Sequence, residues 1–175
     1  MGQTRLLTNI IQRKVMLPEE MSPSMQRDNF EVALTDFEKH AIIKCLFKAD
    51  NQRSTECWSV QEIANFIENC TEDQNINLCI LYWKDIHGNI YIIDGAHRLS
   101  SIYAWVKRYF ADEQATQAPN FSDQQKEDIR DLRNHLGDLA DFQKICIDPK
   151  FAEQKSKLDD IKISFRQVLG TPEDA

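Results

Sequence analysis

The chain has 175 residues, 42% hydrophobic and 28% charged, a balance that fits one globular domain with room for an appendage and excludes a disordered or fibrous chain. A formal net charge of −7 argues against a broad duplex-DNA face, which needs a basic surface to displace counterions, but leaves room for a local basic pocket. No apolar run approaches the ~20 residues of a membrane span, residues 1–15 are too polar for a secretory h-region, and Leu6 stands where a myristoylation signal needs Ser or Thr.

The first expected element is a short strand from Arg13 that stops at Pro18, followed by a turn-rich link through Pro23. In "TDFEKHAIIKCLFKAD", Thr35 and Glu38 have capping-box spacing, and Phe37, Ala41, Cys45 and Leu46 share one helical face, so a helix is expected to run from there to about Asp50. A second capping box, Ser59 and Glu62, opens a helix with Val60, Ile63, Ile67 and Cys70 at helical spacing, expected to end near Asn69. Residues 78–83 are apolar and rich in strand formers, and "KDIHGN" carries the Gly88-Asn89 pair of a hairpin loop. The return strand, residues 90–93, is apolar on both faces and so internal to a sheet. After Asp94 the period changes: Leu99, Ile102, Tyr103, Val106 and Phe110 mark one face of a helix about four turns long. Ser122 and Gln125 open a further helix that reaches Leu136, with Gly137 past its end. The remainder, to about residue 170, is expected to be two more helical pieces broken near Pro149. Dense in charge and thin in apolar residues, it either packs on a partner or continues into something further. The five cysteines (Cys45, Cys57, Cys70, Cys79, Cys146) show no CxxC spacing and no zinc-ligand spacing with His40, His87, His97 or His135, and read as free thiols of a reducing cytoplasm.

The junction "IYIIDGAHRLSSIYAWV" concentrates the chemistry. A strand that feeds a helix through a tight turn puts helix N-terminal amides, donors with partial positive charge, beside the strand's end, and such a place takes anions, phosphate above all. Gly95 permits a positive φ and close backbone approach. Arg98 offers a planar fork matched to phosphate oxygens, and His97 a proton or hydrogen bond near neutral pH. Ser100 and Ser101 add hydroxyls, and Asp94 suits a hydrated Mg²⁺ or an attacking water. Each alone has an ordinary structural role open to it: Asp94 as helix cap, Arg98 as a solvated or paired surface residue, His97 as a structural histidine. Four polar groups together at one turn point to a ligand. Neither GxxxxGK[ST] nor GxGxxG is present.

These residues resemble the DGQQR/DGAHR signature of the ParB/sulfiredoxin-like superfamily, and more closely the N-terminal domain of GmrSD-type (Type IV) restriction and phage-defence proteins. The upstream element of that group is matched by Gln52, Arg53 and Trp58 in "NQRSTECW", and the likeness covers roughly residues 51–107. "KEDIRDLRNHLGDLADF" faintly resembles the helical region that follows. The resemblance implies an α+β fold, a small mixed sheet with flanking helices over residues 1–112, and a helical extension over 113–175. It implies a bound nucleoside triphosphate with Mg²⁺. Asp94, His97 and Arg98 would be the catalytic set, Asp94 the metal ligand, and Gln52, Arg53, Gly95, Ala96, Ser100 and Ser101 the nucleotide-binding set. Trp58 is expected to pack and hold its loop rather than stack on a base. Ala96 stands where sulfiredoxin carries its catalytic cysteine, which excludes sulfinic-acid reduction. His97 stands where many defence proteins have Gln. His135 has no second histidine after it, so no HNH nuclease is expected here. The expected partner is a nuclease domain or chain, with DNA engaged only indirectly and no membrane. Two functions stay open: a Mg²⁺-dependent NTPase, and a non-catalytic nucleotide sensor or adaptor.

Overall fold

A computed structural model of the chain describes residues 2–8, 10–14, 28–49, 58–72, 76, 78–111 and 120–169. Six strands form one mixed sheet: β1 (Arg13–Lys14), β2 (Phe30–Ala33), β3 (Leu46–Ala49), β4 (Cys79–Lys84), β5 (Ile90–Asp94) and β6 (Lys162–Gln167), in the order β1-β3-β5-β4-β6-β2. β3 runs parallel to both β1 and β5, β4 pairs antiparallel with β5 and parallel with β6, and β2 closes the far edge antiparallel to β6. Five helices flank the sheet: α1 (Val60–Glu72), α2 (Ala96–Val106), α3 (Asp123–Leu136), α4 (Phe142–Ile147) and α5 (Ala152–Asp159). The fold class is therefore the expected α+β arrangement.

Strand alternation puts Leu46, Ile80, Ile90, Ile92, Ile163 and Phe165 on the face that joins the helices in one continuous core. α1 supplies Ile63, Ala64, Ile67 and Cys70, all fully buried, and packs on α2, α3 and α5. Trp83 and Tyr91 lie on the sheet's other face, also buried, with ring centroids 5.8 Å apart. The expected capping box at Ser59 forms, and the helix start expected at Ser122 is a capping box too. The Ser59 amide donates to Glu62 Oε2 at 2.6 Å and the Glu62 amide to Ser59 Oγ at 3.2 Å, while Ser122 and Gln125 repeat the exchange at α3. Gly137 follows α3 with φ 57°.

Four expectations are corrected. Residues 35–50 are not one helix: two 3₁₀ segments, Leu34–Lys39 and Ala41–Cys45, lead into β3. Thr35 caps nothing; the first segment starts from Ala33 without a side-chain cap. His40 is extended (ψ 137°) and its Nδ1 accepts the Ile42 amide, taking a donor that a continuous helix would use. From residue 46 onward the hydrogen-bond ladders to β1 and β5 on either side hold the chain as strand. Second, α2 stops at Val106, about three turns, because Arg108 takes φ 64°; its guanidinium binds Asp141 at 3.1 and 3.3 Å, and Phe110 is buried beyond the helix end. Third, α1 continues to Glu72. Fourth, residues 162–167 are strand β6, not helix, and sit between β4 and β2. Residues on both sides of position 112 thus share one sheet and one core. Of the N-terminal strand, the described part is Arg13–Lys14.

Candidate functional site

β5 lies inside the sheet and ends at Asp94; Gly95 turns the chain and α2 begins at Ala96. Gly95 has φ 96° and ψ 14°, a left-handed conformation that side chains disfavour. It is also crowded. A Cβ there would stand 2.6 Å from Ile80 Cδ1, 3.2 Å from Arg98 Nη2 and 3.4 Å from the Cys79 carbonyl oxygen. The torsion requires glycine, the space beside it is tight against the tip of the Ile80 side chain, and the arginine fork lies over the turn. The Leu99 amide donates to the Gly95 carbonyl at 2.9 Å as the first helical bond. No side chain caps this helix, so Asp94 does not serve as its cap. Its first-turn amides and dipole face the space beyond the strand end.

Asp94 is exposed, and its carboxylate lies 3.6 Å from Arg98 Nη2, with 68% of the Asp94 side chain and 26% of the Arg98 side chain open to solvent. A pair this exposed contributes little to stability, ~0.5 kcal/mol. The His97 ring is half-buried and stacks on Trp58, with centroids 5.3 Å apart and planes 21° apart. Trp58 also meets Phe66 edge-on at 5.6 Å and accepts the Thr4 amide at its carbonyl. Its ring therefore packs against the turn. Ala96 is buried and offers only backbone. Ser100 and Ser101 are fully buried. The Ser101 hydroxyl donates to the His97 carbonyl at 2.8 Å, and Ser100 Oγ is enclosed without a hydrogen-bond partner among the described residues. Neither hydroxyl faces the open side of the turn. The structure brings together Asp94, Gly95, His97 and Arg98. Gln52 and Arg53 lie outside the described residues. The flanking residues do reach the site: β3, which ends at Ala49, is parallel to β5, and Trp58 stacks on His97.

Two polar residues at the ends of these strands escaped the sequence reading. Lys48 is fully buried, and its Nζ donates to the Thr8 carbonyl at 2.8 Å. Burial first, and Arg13 second, push its pKa down to about 8. It pairs with Ile92, so the two share one face. A lysine inside "CLFKA" is the signal, hidden by the helical reading of that stretch. Asp85, in the β4–β5 hairpin, is also buried. Its carboxylate accepts the His87 and Asn89 amides at 2.9 Å each, Asn89 Nδ2 at 2.7 Å and the Tyr91 hydroxyl at 3.3 Å. Burial alone would raise its pKa, but the bonds from Asn89 and His87, with Lys14 nearby, hold it below the usual carboxylate value.

A cavity of about 440 Å³ lies apart from these turn residues, between Gly2–Thr4, Val60 and the α3 residues Asp128, Asp131, Asn134 and His135. Among the described residues no group of three or more His, Cys, Asp or Glu side chains is placed to hold a metal ion. Cys45, Cys70, Cys79 and Cys146 are free thiols, and burial pushes Cys70 up to about 12. No helix among the described residues is long and apolar enough to cross a membrane. No family model matches the chain, and no curated protein or solved structure matches it either.

Proposed function

We propose that the Asp94–Arg98 turn binds the phosphates of a nucleoside triphosphate with Mg²⁺ and hydrolyses it, as the regulatory domain of a cytoplasmic bacterial restriction or phage-defence system whose nuclease is a separate domain or chain. The observation that carries this reading is the Gly95 turn itself: a left-handed glycine, an uncapped helix start and an arginine fork 3.2 Å from where a Cβ would be. The likeness of "DGAHR" to the defence-protein signature adds the nucleotide. In this role the helix amides and Arg98 hold phosphate oxygens and neutralise charge as it shifts to the leaving group. Asp94 or His97 takes the proton of the attacking water as the terminal P–O bond breaks. Bound Mg²⁺ supplies further charge neutralisation at the phosphates. Ser100 and Ser101 have no part in this, because their hydroxyls are turned inward.

Phosphate release measured with purified protein, nucleoside triphosphates and Mg²⁺ tests the reading. Arg98→Ala and Asp94→Ala are expected to lose turnover by at least ~100-fold while keeping their circular dichroism and melting temperature. Unchanged turnover in both would overturn it.

The second reading, a nucleotide sensor or adaptor without turnover, is favoured by one observation: the His97 ring is stacked on Trp58 and the Arg98 fork is paired with Asp94. Groups so engaged are suited to holding a ligand in a fixed pose. A thermal shift with nucleotide but no phosphate release selects it, since a ligand that binds only the native state raises its stability.

A further inference from the structure

β6 supplies a cation in line with the turn. A Cβ on Gly95 would stand 3.4 Å from the carbonyl oxygen of Cys79, the first residue of β4, so β4 starts directly against the turn. The β4–β5 register shifts there: Tyr82 is opposite Ile92 and Leu81 is opposite Asp94, which leaves Ile93 as one extra residue on β5. Such a bulge re-aims the side chains beside it. Counting alternate residues from Ile92 would put Asp94 on the core face, but it stands opposite Leu81 and is exposed. Leu81 is opposite Arg166 of β6 in turn, while their neighbours Ile80 and Phe165 enter the core, so Leu81 and Arg166 belong to the outer face. Asp94, Leu81 and Arg166 thus form one row across three adjacent strands, and two strand spacings put Arg166 about 10 Å from Asp94 along it. Arg166 is exposed, and it has no hydrogen bond, ion pair or ring contact among the described residues. Arg98, by contrast, is half-buried and held to Asp94.

We propose that Arg166 is a specificity-determining residue of the site: it holds the far end of a phosphate chain whose near end sits at the turn, and so selects a triphosphate over a monophosphate; this rests on the nucleotide reading above. A single phosphate at the helix start and Arg98 lies too far from β6 to use Arg166. A triphosphate that leaves the turn over Leu81 runs toward β6, where the long Arg166 side chain meets it. Leu81 offers that chain no side-chain hydrogen bond. The next group on the row that can hold phosphate oxygens is the Arg166 fork, whose geometry suits them in pairs. Recruiting it strands no other side chain, because Arg166 has no partner among the described residues to give up.

The test is calorimetric titration of the wild-type chain and Arg166→Gln, in excess Mg²⁺, with the four common ribonucleoside triphosphates and their monophosphates. Arg166 is exposed and makes no polar contact among the described residues, so the variant keeps its fold, which its melting temperature checks. The wild type is expected to bind at least one triphosphate ~10-fold more tightly than the matching monophosphate. Arg166→Gln is expected to lose about tenfold on that triphosphate, the effect of one charge-assisted contact, and less than about twofold on the monophosphate. Triphosphate binding unchanged in the variant would overturn the inference, as would a wild type that binds both ligands equally. An equal loss on both ligands also overturns it, because that assigns the effect to net charge alone. Each of those results leaves the nucleotide reading standing. No binding of any of these nucleotides by the wild type overturns that reading and this inference together.

Discussion

β5 has a polar turn at each end, and the two turns are built from similar residues with opposite results. The hairpin before it, "DIHGN", has an acid, a histidine and a glycine; the turn after it, "DGAHR", has an acid, a glycine, a histidine and an arginine. Asp85 is buried under four donors from His87, Asn89 and Tyr91, so its hydrogen-bonding capacity is spent inside the protein. Asp94 is exposed with one long ion pair. Gly88 has nothing within 4 Å of a would-be Cβ, whereas Gly95 is pressed against Ile80 and Arg98. A polar turn that satisfies itself is architecture. The turn after β5 instead keeps an exposed carboxylate, paired with Arg98, beside a helix start that no side chain caps.

Substitutions that exchange the properties of the two turns test this contrast. The largest expected effect is at the glycines. Gly95→Ala combines a disfavoured φ with a clash against the Ile80 side chain and is expected to cost ~3 kcal/mol, whereas Gly88→Ala meets only the torsion and costs ~1 kcal/mol. Urea denaturation of both variants measures the difference, and equal losses would show that the crowding at Gly95 is relieved without cost. Next come the acids. Asp85→Ala strands its donors and is expected to cost ~2 kcal/mol at neutral pH, while Asp94→Ala changes stability by no more than ~0.5 kcal/mol. The depressed pKa of Asp85 fixes the sign with pH: its stabilisation is complete above the unfolded value near ~3.9 and is lost as pH falls through the lower folded value. Acid titration of Asp85→Asn should therefore show a shallower loss of stability than wild type, and an unchanged acid limb would remove Asp85 from the account.

The effect that extends the comparison to the neighbouring strand concerns Lys48. Below about pH 8 its amine is charged in both states, and the native state bears the cost of burying that charge. Between about 8 and the ordinary value of 10.5 the unfolded chain holds a proton that the native chain has released, so stability rises with pH. Lys48→Met should flatten that rise in denaturation curves taken between pH 7.5 and 10.5. A persistent rise in the variant would assign it to another group.

What was legible in the sequence was local. Ser59–Glu62 and Ser122–Gln125 each carry a complete capping box next to an apolar period, and both helices start there. The hairpin and the turn were marked by Gly88 and Gly95 beside apolar strands. What failed depended on distant partners. Residues 41–46 have helical spacing, and the ladders that hold the chain as strand from residue 46 onward cannot be seen from within that stretch. β6 did carry a signal: Ile163, Phe165 and Gln167 are buried while Lys162 and Arg166 are exposed, a period of two that a charged, helix-rich neighbourhood obscured. At the site, the position of the turn was readable, but the inward aim of Ser100 and Ser101 was not. α2 was read as having one apolar face, yet Ala96, Leu99, Ser100, Ser101, Ile102, Ala104 and Trp105 are buried around most of its circumference. Small hydroxyl residues there fill space between packed elements.

The placement of β6 has a consequence for the order in which the protein assembles. β2 hydrogen-bonds only to β6 among the described strands, so residues 30–33 wait for a partner more than a hundred positions later in the chain. On a ribosome, β3, β4, β5 and α2 can associate as soon as they emerge, giving a half-sheet with the Asp94 turn in place. Its β4 edge stays open until synthesis passes residue 167. An unpaired internal edge of this kind invites pairing with other chains. The late strand therefore decides when the nascent protein stops being prone to aggregate.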